Sequence, residues 1–541
     1  MHVTLIRPAR IHARFAPHNI IATPPIGLAY IAGSVLGSGH TVTFLDAFAL
    51  NPFQVTPLSP LDVVAIGEGI EGIIERIPPN TDCIGISVMF SQEWFYARRV
   101  IEAIHSAYPR IPIVVGGEHV TADYENLLRR VPAVTACVLG EGEESFLELL
   151  KALERGDPLT TVAGIALRDR EGRIVTTLRR PRIRAIDALP WPAWDLVPIE
   201  VYLDLRYGYE EWNRRSMPML ATRGCPYQCT FCSNPGMWGT RWIARDPEKV
   251  IEEIKYYKAK YAIEHVEFYD LTAIVDRRWI LKFTELLSRE NLGITWRLPS
   301  GTRSEALDGE VLSRMKETGC EALVYAPESG SRTTLERIKK KVNPERMVRS
   351  IRQAVRLGFH TRVHFIIGLP GQRFSEILET FWFILRLAFI GVHDISCFFF
   401  YPYPGSALYN ELVAKGRIRP DAEDYELFLA RACFTDFRHV ASYSEYFSAR
   451  TIRFFCLFGM ALFYFLQFLL RPHRLVLLSL RLFKEKPYTW LERFLSSFLR
   501  ERLKRTWFRS FKPSPSLSLV GWKGSESAPN DPPAVRWAQY R

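Results

Sequence analysis

The sequence predicts an α/β chain: a doubly wound parallel sheet, then a partial barrel of six strand–helix units, then a helical tail. Three observations predict it. Short β-branched apolar runs alternate with helical patterns over residues 1–150. A second alternation, with a strand every 25–45 residues, runs from about residue 216 to 403. Beyond residue 437 both patterns stop, and basic residues mix with aromatics and leucines.

In the first segment the runs "VTLIRP", "TVTFLDA", "CIGISV", "IPIVVGG" and "VTACVLG" are separated by helix-like stretches such as "GLAYIAGSVLGSG" and "YARRVIEAIHSAYP". Continuous apolar strands with helices between them belong to a sheet covered on both faces. Ligands of such sheets bind beyond the carboxyl ends of the strands. Those ends carry Ser87, "GGEH" (Gly116, Gly117, Glu118, His119) and "GEGE" (Gly140, Glu141, Gly142, Glu143). Glycines there let backbone approach a bulky ligand, or simply make tight turns. Residues 151–210 read as a connector, with a hairpin turning at Glu171-Gly172 and a proline-rich "LPWPAWDLVP".

In the second segment, residues 211–436, the strands are "MPMLAT", "HVEFYD", "ITWRLPS", "ALVYAPES", "TRVHFIIGLPG" and "DISCFFFYPYPG". Asp246-Pro247-Glu248 and Asn343-Pro344-Glu345 each combine a capping side chain, a first-turn proline and an acid at the positive end of the helix dipole. Val250, Ile251, Ile254 and Tyr257 then form one apolar stripe. The site of such a barrel lies at the carboxyl ends of its strands.

The tail, 437–512, holds the apolar run 454–470, bordered by Arg453 and Arg471. Its 17 residues fall short of the roughly 20 that span a bilayer. A buried helix capping the barrel and a helix lying in a membrane interface both fit. Residues 441–541 carry 17 Lys/Arg against 6 Asp/Glu, so nearly all of the net charge of +12 is in the tail. The rest of the chain is close to neutral, which speaks against nucleic acid as a partner. Residues 513–541 are expected to be disordered. Nine cysteines and a start, "MHVTLIRPAR", without the pattern of an export signal point to a reducing cytoplasm.

Chemistry concentrates in "RGCPYQCTFCS", directly after the first strand of the second segment, with Cys225, Cys229 and Cys232 within eight positions. Zinc in a structural site takes four ligands, so three cysteines leave it one short. A four-iron cluster has four corners that accept thiolates. Three cysteines would hold three irons and leave the fourth open to a small molecule offering an amine and a carboxylate. Cys83, Cys137, Cys320, Cys397 and Cys456 lie in apolar runs and read as core residues; Cys433 has no evident role.

The loop resembles the cluster loop of the radical S-adenosylmethionine (radical SAM) enzymes, with Phe231 just before the last cysteine. "APESGSRTTLERIKKKV", "FIIGLPGQ" and "YPYPGSALYNEL" resemble that family's later segments. "PPIGLAYIAGSVLGSGHTVTFLDA", "VVGGEHVT" and "LGEGEESFLELLKAL" are similar to the cobalamin-binding domain of its cobalamin-dependent members, and the resemblance covers roughly residues 1–440. It implies a Rossmann-like (flavodoxin-like) cobalamin-binding domain at 1–150, a radical SAM partial (β/α)6 barrel at 211–436, and three cofactors: a [4Fe-4S] cluster, S-adenosylmethionine and cobalamin. By the same resemblance Phe231, Asp270, Glu328 and Ser329 are candidates for S-adenosylmethionine, and Ser87, Gly116, Gly117, His119, Gly140, Glu141 and Gly142 for cobalamin. The D-x-H-x-x-G motif that supplies a lower cobalt ligand elsewhere is absent, and the context of His119 does not match it. Gln372 stands where relatives often have glutamate, and Arg303 either meets a carboxylate or is a solvated charge.

The activity implied is methylation of an unactivated carbon through a 5′-deoxyadenosyl radical and methylcobalamin. Oxidative cyclisation or rearrangement, as in the anaerobic cyclase of chlorophyll biosynthesis, shares every motif, and a non-catalytic cobalamin sensor or carrier is the third reading. Expected partners are a small molecule, in the class of lipids, isoprenoids or tetrapyrroles, and an electron donor such as flavodoxin or ferredoxin. The tail adds an expectation of peripheral contact at the inner face of the cell membrane. The geometry required is that the strand ends of the two domains face each other.

Overall fold

The computed structural model describes residues 1–14, 23–58, 61–209, 213–272, 274–431, 437–483, 488–496 and 499. Cys433 and the segment 513–541 lie outside them.

The five apolar runs of the first segment become His2–Arg7, Thr41–Asp46, Cys83–Ser87, Ile113–Gly116 and Ala136–Val138, all parallel. Taken in chain order these strands lie 2-1-3-4-5 across the sheet, the flavodoxin-like arrangement. The expected hairpin forms from Ile165–Arg168 and Ile174–Thr176, with Gly172 at φ +80° in its turn. Instead of standing apart in the connector, it pairs antiparallel with Ala136–Val138 and extends the first sheet to seven strands. A small antiparallel sheet of Arg10–Ala13, Val63–Ile66 and Val55–Pro57 has no counterpart in the sequence reading. Its strands are four residues or fewer, too short for a period to show.

The second segment folds into six parallel strands in sequential order: Ser216–Met219, His265–Phe268, Thr295–Thr302, Cys320–Glu328, His360–Ile367 and Asp394–Phe399. All six were legible as strands. The caps act as expected: Asp246 accepts from the Glu248 amide at 2.9 Å and Asn343 from the Arg346 amide at 3.0 Å. One apolar core joins the two sheets. It passes from Leu5 and Val138 through Trp194 and Tyr202 of the connector to Met217, Val266 and Leu323. Trp194 donates its indole N–H to Tyr257 Oη at 3.1 Å, which pins the proline-rich connector to the stripe on the first barrel helix.

The apolar run of the tail is part of a helix, Ala449–Leu470, whose 22 residues are long and apolar enough to cross a membrane by length and composition. Here one stripe of it is packed on the barrel. Gly459 sits against Cys397, Phe381 and Ile384, and Gln467 Nε2 donates to the carbonyls of Val392 and His393, both at 3.0 Å. A helix held this way is not surrounded by lipid.

Candidate active site

Backbone hydrogen bonds hold the cysteine loop to two later elements. The Thr230 amide donates to the Ile338 carbonyl at 3.0 Å, and the Leu408 amide donates to the Thr230 carbonyl at 2.8 Å. Gly224, before the first cysteine, has φ +87°, and a Cβ there would collide with the Arg241 carbonyl. The guanidinium of Arg303 lies 3.3 Å from the centre of the Tyr227 ring and donates to the Lys341 carbonyl. Arg303 therefore ties the cysteine loop to the segment at Lys341.

Cys225, Cys229 and Cys232 are partly exposed, whereas Cys83, Cys137, Cys320, Cys397 and Cys456 are buried, as core residues should be. Burial raises the Cys229 and Cys232 thiols, the latter to about 12, and Lys340 and Arg303 pull Cys229 back toward ionisation. The Thr272 hydroxyl lies 3.3 Å from Cys225 Sγ. Among the described residues no three His, Cys, Asp or Glu side chains are grouped closely enough for a single metal ion. A single zinc would need its sulfurs converging at about 2.3 Å from one point. A cubane offers a separate iron to each thiolate, so three thiolates on one loop fit the donor set of a four-iron cluster.

Beside the loop, Lys340 Nζ lies 2.8 Å from Glu328 Oε1 and 5.8 Å from the centre of the Phe231 ring. Glu328 has φ +68°, a left-handed conformation that costs a non-glycine residue roughly 1 kcal/mol or more and tends to mark functional positions. Asp270, at the end of the second strand, accepts from the Ala221 amide at 3.1 Å and keeps Oδ1 buried without a hydrogen-bond partner; burial raises its carboxyl to about 6. Ser329 is turned elsewhere: its hydroxyl is 3.0 Å from Thr380 Oγ1 and accepts from the Ser331 amide. Gln372 closes its own turn, accepting from the Gly368 amide at 2.9 Å.

On the other side, the carboxyl ends of the first sheet open onto a cavity of 430 Å³ with a mainly apolar wall. Ser87, Gly116, Gly117, Gly140, Glu141 and Gly142 all line it, and so do Leu220, Gly224, Trp238 and Leu271 around the cysteine loop. The required facing of the two domains is present, and one cavity touches both. Gly117 has φ +127°, where a Cβ would strike the Val88 carbonyl, so the chain turns here with bare backbone toward the cavity. A glycine-edged, apolar recess at the strand ends suits a broad flat macrocycle such as cobalamin. His119, expected in this cradle, stands outside it. It is buried, with Nδ1 3.1 Å from Ser91 Oγ and its ring against Trp94, and burial lowers its pKa to about 3.

Three groups escaped the sequence reading. Arg223, immediately before Gly224, donates to Glu141 at 3.1 Å and to Glu143 at 2.6 Å, all three being buried. Glu141 also accepts from Arg182 Nε at 2.6 Å and the Ile183 amide at 3.0 Å, so its carboxylate is a strut between the domains. Ser233, just after the last cysteine, donates to Glu118 of the "GGEH" loop. Lys340 completes the set. These partners stand up to 115 residues apart, and only adjacency to the cysteine motif could have drawn attention to Arg223 and Ser233.

Residues 219–384 match the radical SAM superfamily and residues 22–150 match the B12 binding domain. An uncharacterised methyltransferase of Pyrococcus horikoshii is 30% identical over 396 residues, covering 72% of this chain and 79% of that protein. A cytidylyl-2-hydroxyethylphosphonate methyltransferase of Streptomyces wedmorensis is 28% identical over 440 residues, covering 75% and 80%. The fold is shared with the cobalamin-dependent S-adenosylmethionine radical enzyme OxsB, with a TM-score of 0.60 at 19% identity over 77% of this chain and 55% of that one. The chain belongs to the radical SAM enzymes that carry a cobalamin-binding domain.

Proposed function

We propose that the chain is a methyltransferase that places a methyl group on an unactivated carbon of a small lipophilic molecule, in the class of lipids, isoprenoids or tetrapyrroles. The observation that carries this reading is the single cavity bounded by the glycine loops of the first sheet and by the residues flanking the cysteine loop. Methyl transfer to a substrate radical needs both surfaces within reach of one bound molecule. When bound, the cluster with S-adenosylmethionine supplies a radical and cobalamin supplies the methyl group.

The chain's own residues then hold, orient and exclude water. Cys225, Cys229 and Cys232 grip the cluster. Phe231, Glu328 and Asp270 form the surroundings we assign to S-adenosylmethionine, with Lys340 holding the Glu328 carboxylate in place and Ser329 shaping the turn from behind. Gly116, Gly117, Gly140 and Gly142 seat cobalamin, and the Arg223 clamp fixes the cradle against the loop. An electron donor is required, and a flavodoxin or ferredoxin is the class we assign. We assign the chain to the cytoplasm, where reducing conditions keep thiols out of disulfides and available to a cluster. Contact with a membrane through the C-terminal region would give such an enzyme access to a lipophilic substrate.

The test is anaerobic incubation of the reconstituted protein with methyl-labelled S-adenosylmethionine, a strong reductant and a lipid extract. Label in an extractable product is expected. 5′-Deoxyadenosine without labelled product would favour cyclisation or rearrangement, and failure to cleave S-adenosylmethionine at all would favour a sensor.

A further inference from the structure

Helix Ala449–Leu470 is docked along one stripe only. Ile452, Phe455, Cys456, Gly459, Phe463 and Gln467 are buried, but Phe454, Leu457, Phe458, Phe465 and Leu469 face solvent, the last two each 66% exposed. It packs against Phe374–Ile390 and Pro472–Phe483. The first of these adds Trp382, 68% exposed, and Phe389, 61% exposed; the second adds Val476 and Leu480. A surface helix ordinarily shows water a charged face. Residues 454–470 contain no charged side chain at all. An apolar surface spread over three adjoining helices marks an interaction site.

The charges around it identify the occupant. From Tyr446 to Phe483 there is no Asp or Glu, while Arg450, Arg453, Arg471 and Arg474 stand in the same stretch; Arg481 there is paired with Glu492. Arg450 and Arg453 are exposed at one end of the long helix. At the other end Arg471 and Arg474 donate to the carbonyls of Ala388, Phe389, Gly391 and Val392, which locks their guanidinium groups beside the C-terminus of the neighbouring helix. On that neighbour Glu376 is buried against Arg337, leaving Glu379 as its exposed acid. Bulky apolar side chains bracketed by arginines at both ends are the chemistry of a helix lying in an anionic headgroup layer. A second copy of the chain fits less well: two such faces packed together, in either direction, would set arginine against arginine.

We propose that the face formed by Phe374–Ile390, Ala449–Leu470 and Pro472–Phe483 rests on an anionic lipid bilayer, with Ala449–Leu470 parallel to its plane and the arginines at phosphate level. The inference rests on the membrane contact proposed above and specifies it; its readout is vesicle binding and not turnover, so it can fail while the methyltransferase reading stands.

The experiment is flotation of the full-length protein with vesicles of phosphatidylglycerol and phosphatidylcholine, and with phosphatidylcholine alone. Binding is expected to the anionic vesicles and to weaken in high salt. Two double variants, Trp382→Ser with Phe389→Ser and Phe465→Ser with Leu469→Ser, each remove two exposed side chains and should weaken binding by about tenfold or more. Unchanged thermal melting and iron content show that these variants are folded. Absence of flotation overturns the proposal, as does a wild-type dimer that the same substitutions dissociate. Binding that survives both double variants and is lost only on deleting residues 500–541 also overturns it, since the basic tail would then hold the membrane.

Discussion

The three cysteines stand out in the sequence because their spacing is local and their number falls one short of a closed structural zinc site. Replacing any one of them by Ala is expected to leave a folded chain that binds little iron after reconstitution and forms no 5′-deoxyadenosine; iron per chain and visible absorbance check it. The residues that position them were not legible. Arg223 reads in sequence as one more basic residue, Glu141 as a cobalamin candidate and Glu143 as the end of a glycine-rich turn. Their meeting is a property of two domains packed together, which no window of sequence contains. Removing one member of a buried ion pair leaves the other charge unpaired and typically costs about 3–5 kcal/mol. Arg223→Ala, with two carboxylates stranded, is therefore expected to lower the stability of the folded chain by about that amount, read as a clear fall in denaturation midpoint. His119 shows the opposite error. A histidine beside two loop glycines looks available, yet the helix it opens turns its ring inward onto Trp94.

At the scale of elements, the strands of both sheets followed from β-branched runs bounded by Gly, Pro and Asp, and the helix starts from their capping residues. The small antiparallel sheet escaped because Val55–Pro57 is exposed and contains a proline. The helix Ala449–Leu470 was half legible: its composition announced an apolar helix, but which stripe is covered depends on the barrel. Its lower end is secured at the start of the sixth strand. Asp394 accepts from His360 Nε2 at 3.0 Å, from the Tyr464 hydroxyl at 2.9 Å and from the Trp490 amide at 2.9 Å. Burial alone would raise this carboxyl; the hydrogen bonds overcome that and bring it down to about 2. A carboxylate with a depressed folded pKa stabilises the fold above its unfolded value of about 3.9 and loses that contribution as the pH falls toward the folded one. The attachment of the C-terminal helices is thus expected to weaken between about pH 4 and pH 2. Asp394→Asn should remove the same contribution at neutral pH, seen as faster amide exchange over 488–496 and a lower denaturation midpoint.

For the whole molecule, the facing of the two domains was an inference from chemistry, and the structure supplies its physical basis in the shared core through Trp194 and Tyr202. The C-terminal region is part of the same body. Deleting everything after residue 440 would uncover Phe381, Ile384 and Cys397, against which Phe455 and Gly459 now pack. That shortened chain is expected to aggregate, whereas a chain ending at 499 should stay monodisperse in size-exclusion chromatography. The hairpin at 165–176 has a parallel consequence at the edge of the first sheet. Severing the polypeptide at residue 150, where the fifth parallel strand's helix is about to finish, would strip Ala136–Val138 of its outer neighbour and bare a hydrogen-bonding rim. Any attempt to isolate the corrin-holding lobe should retain the chain through residue 178, or the orphaned rim will recruit another copy of itself.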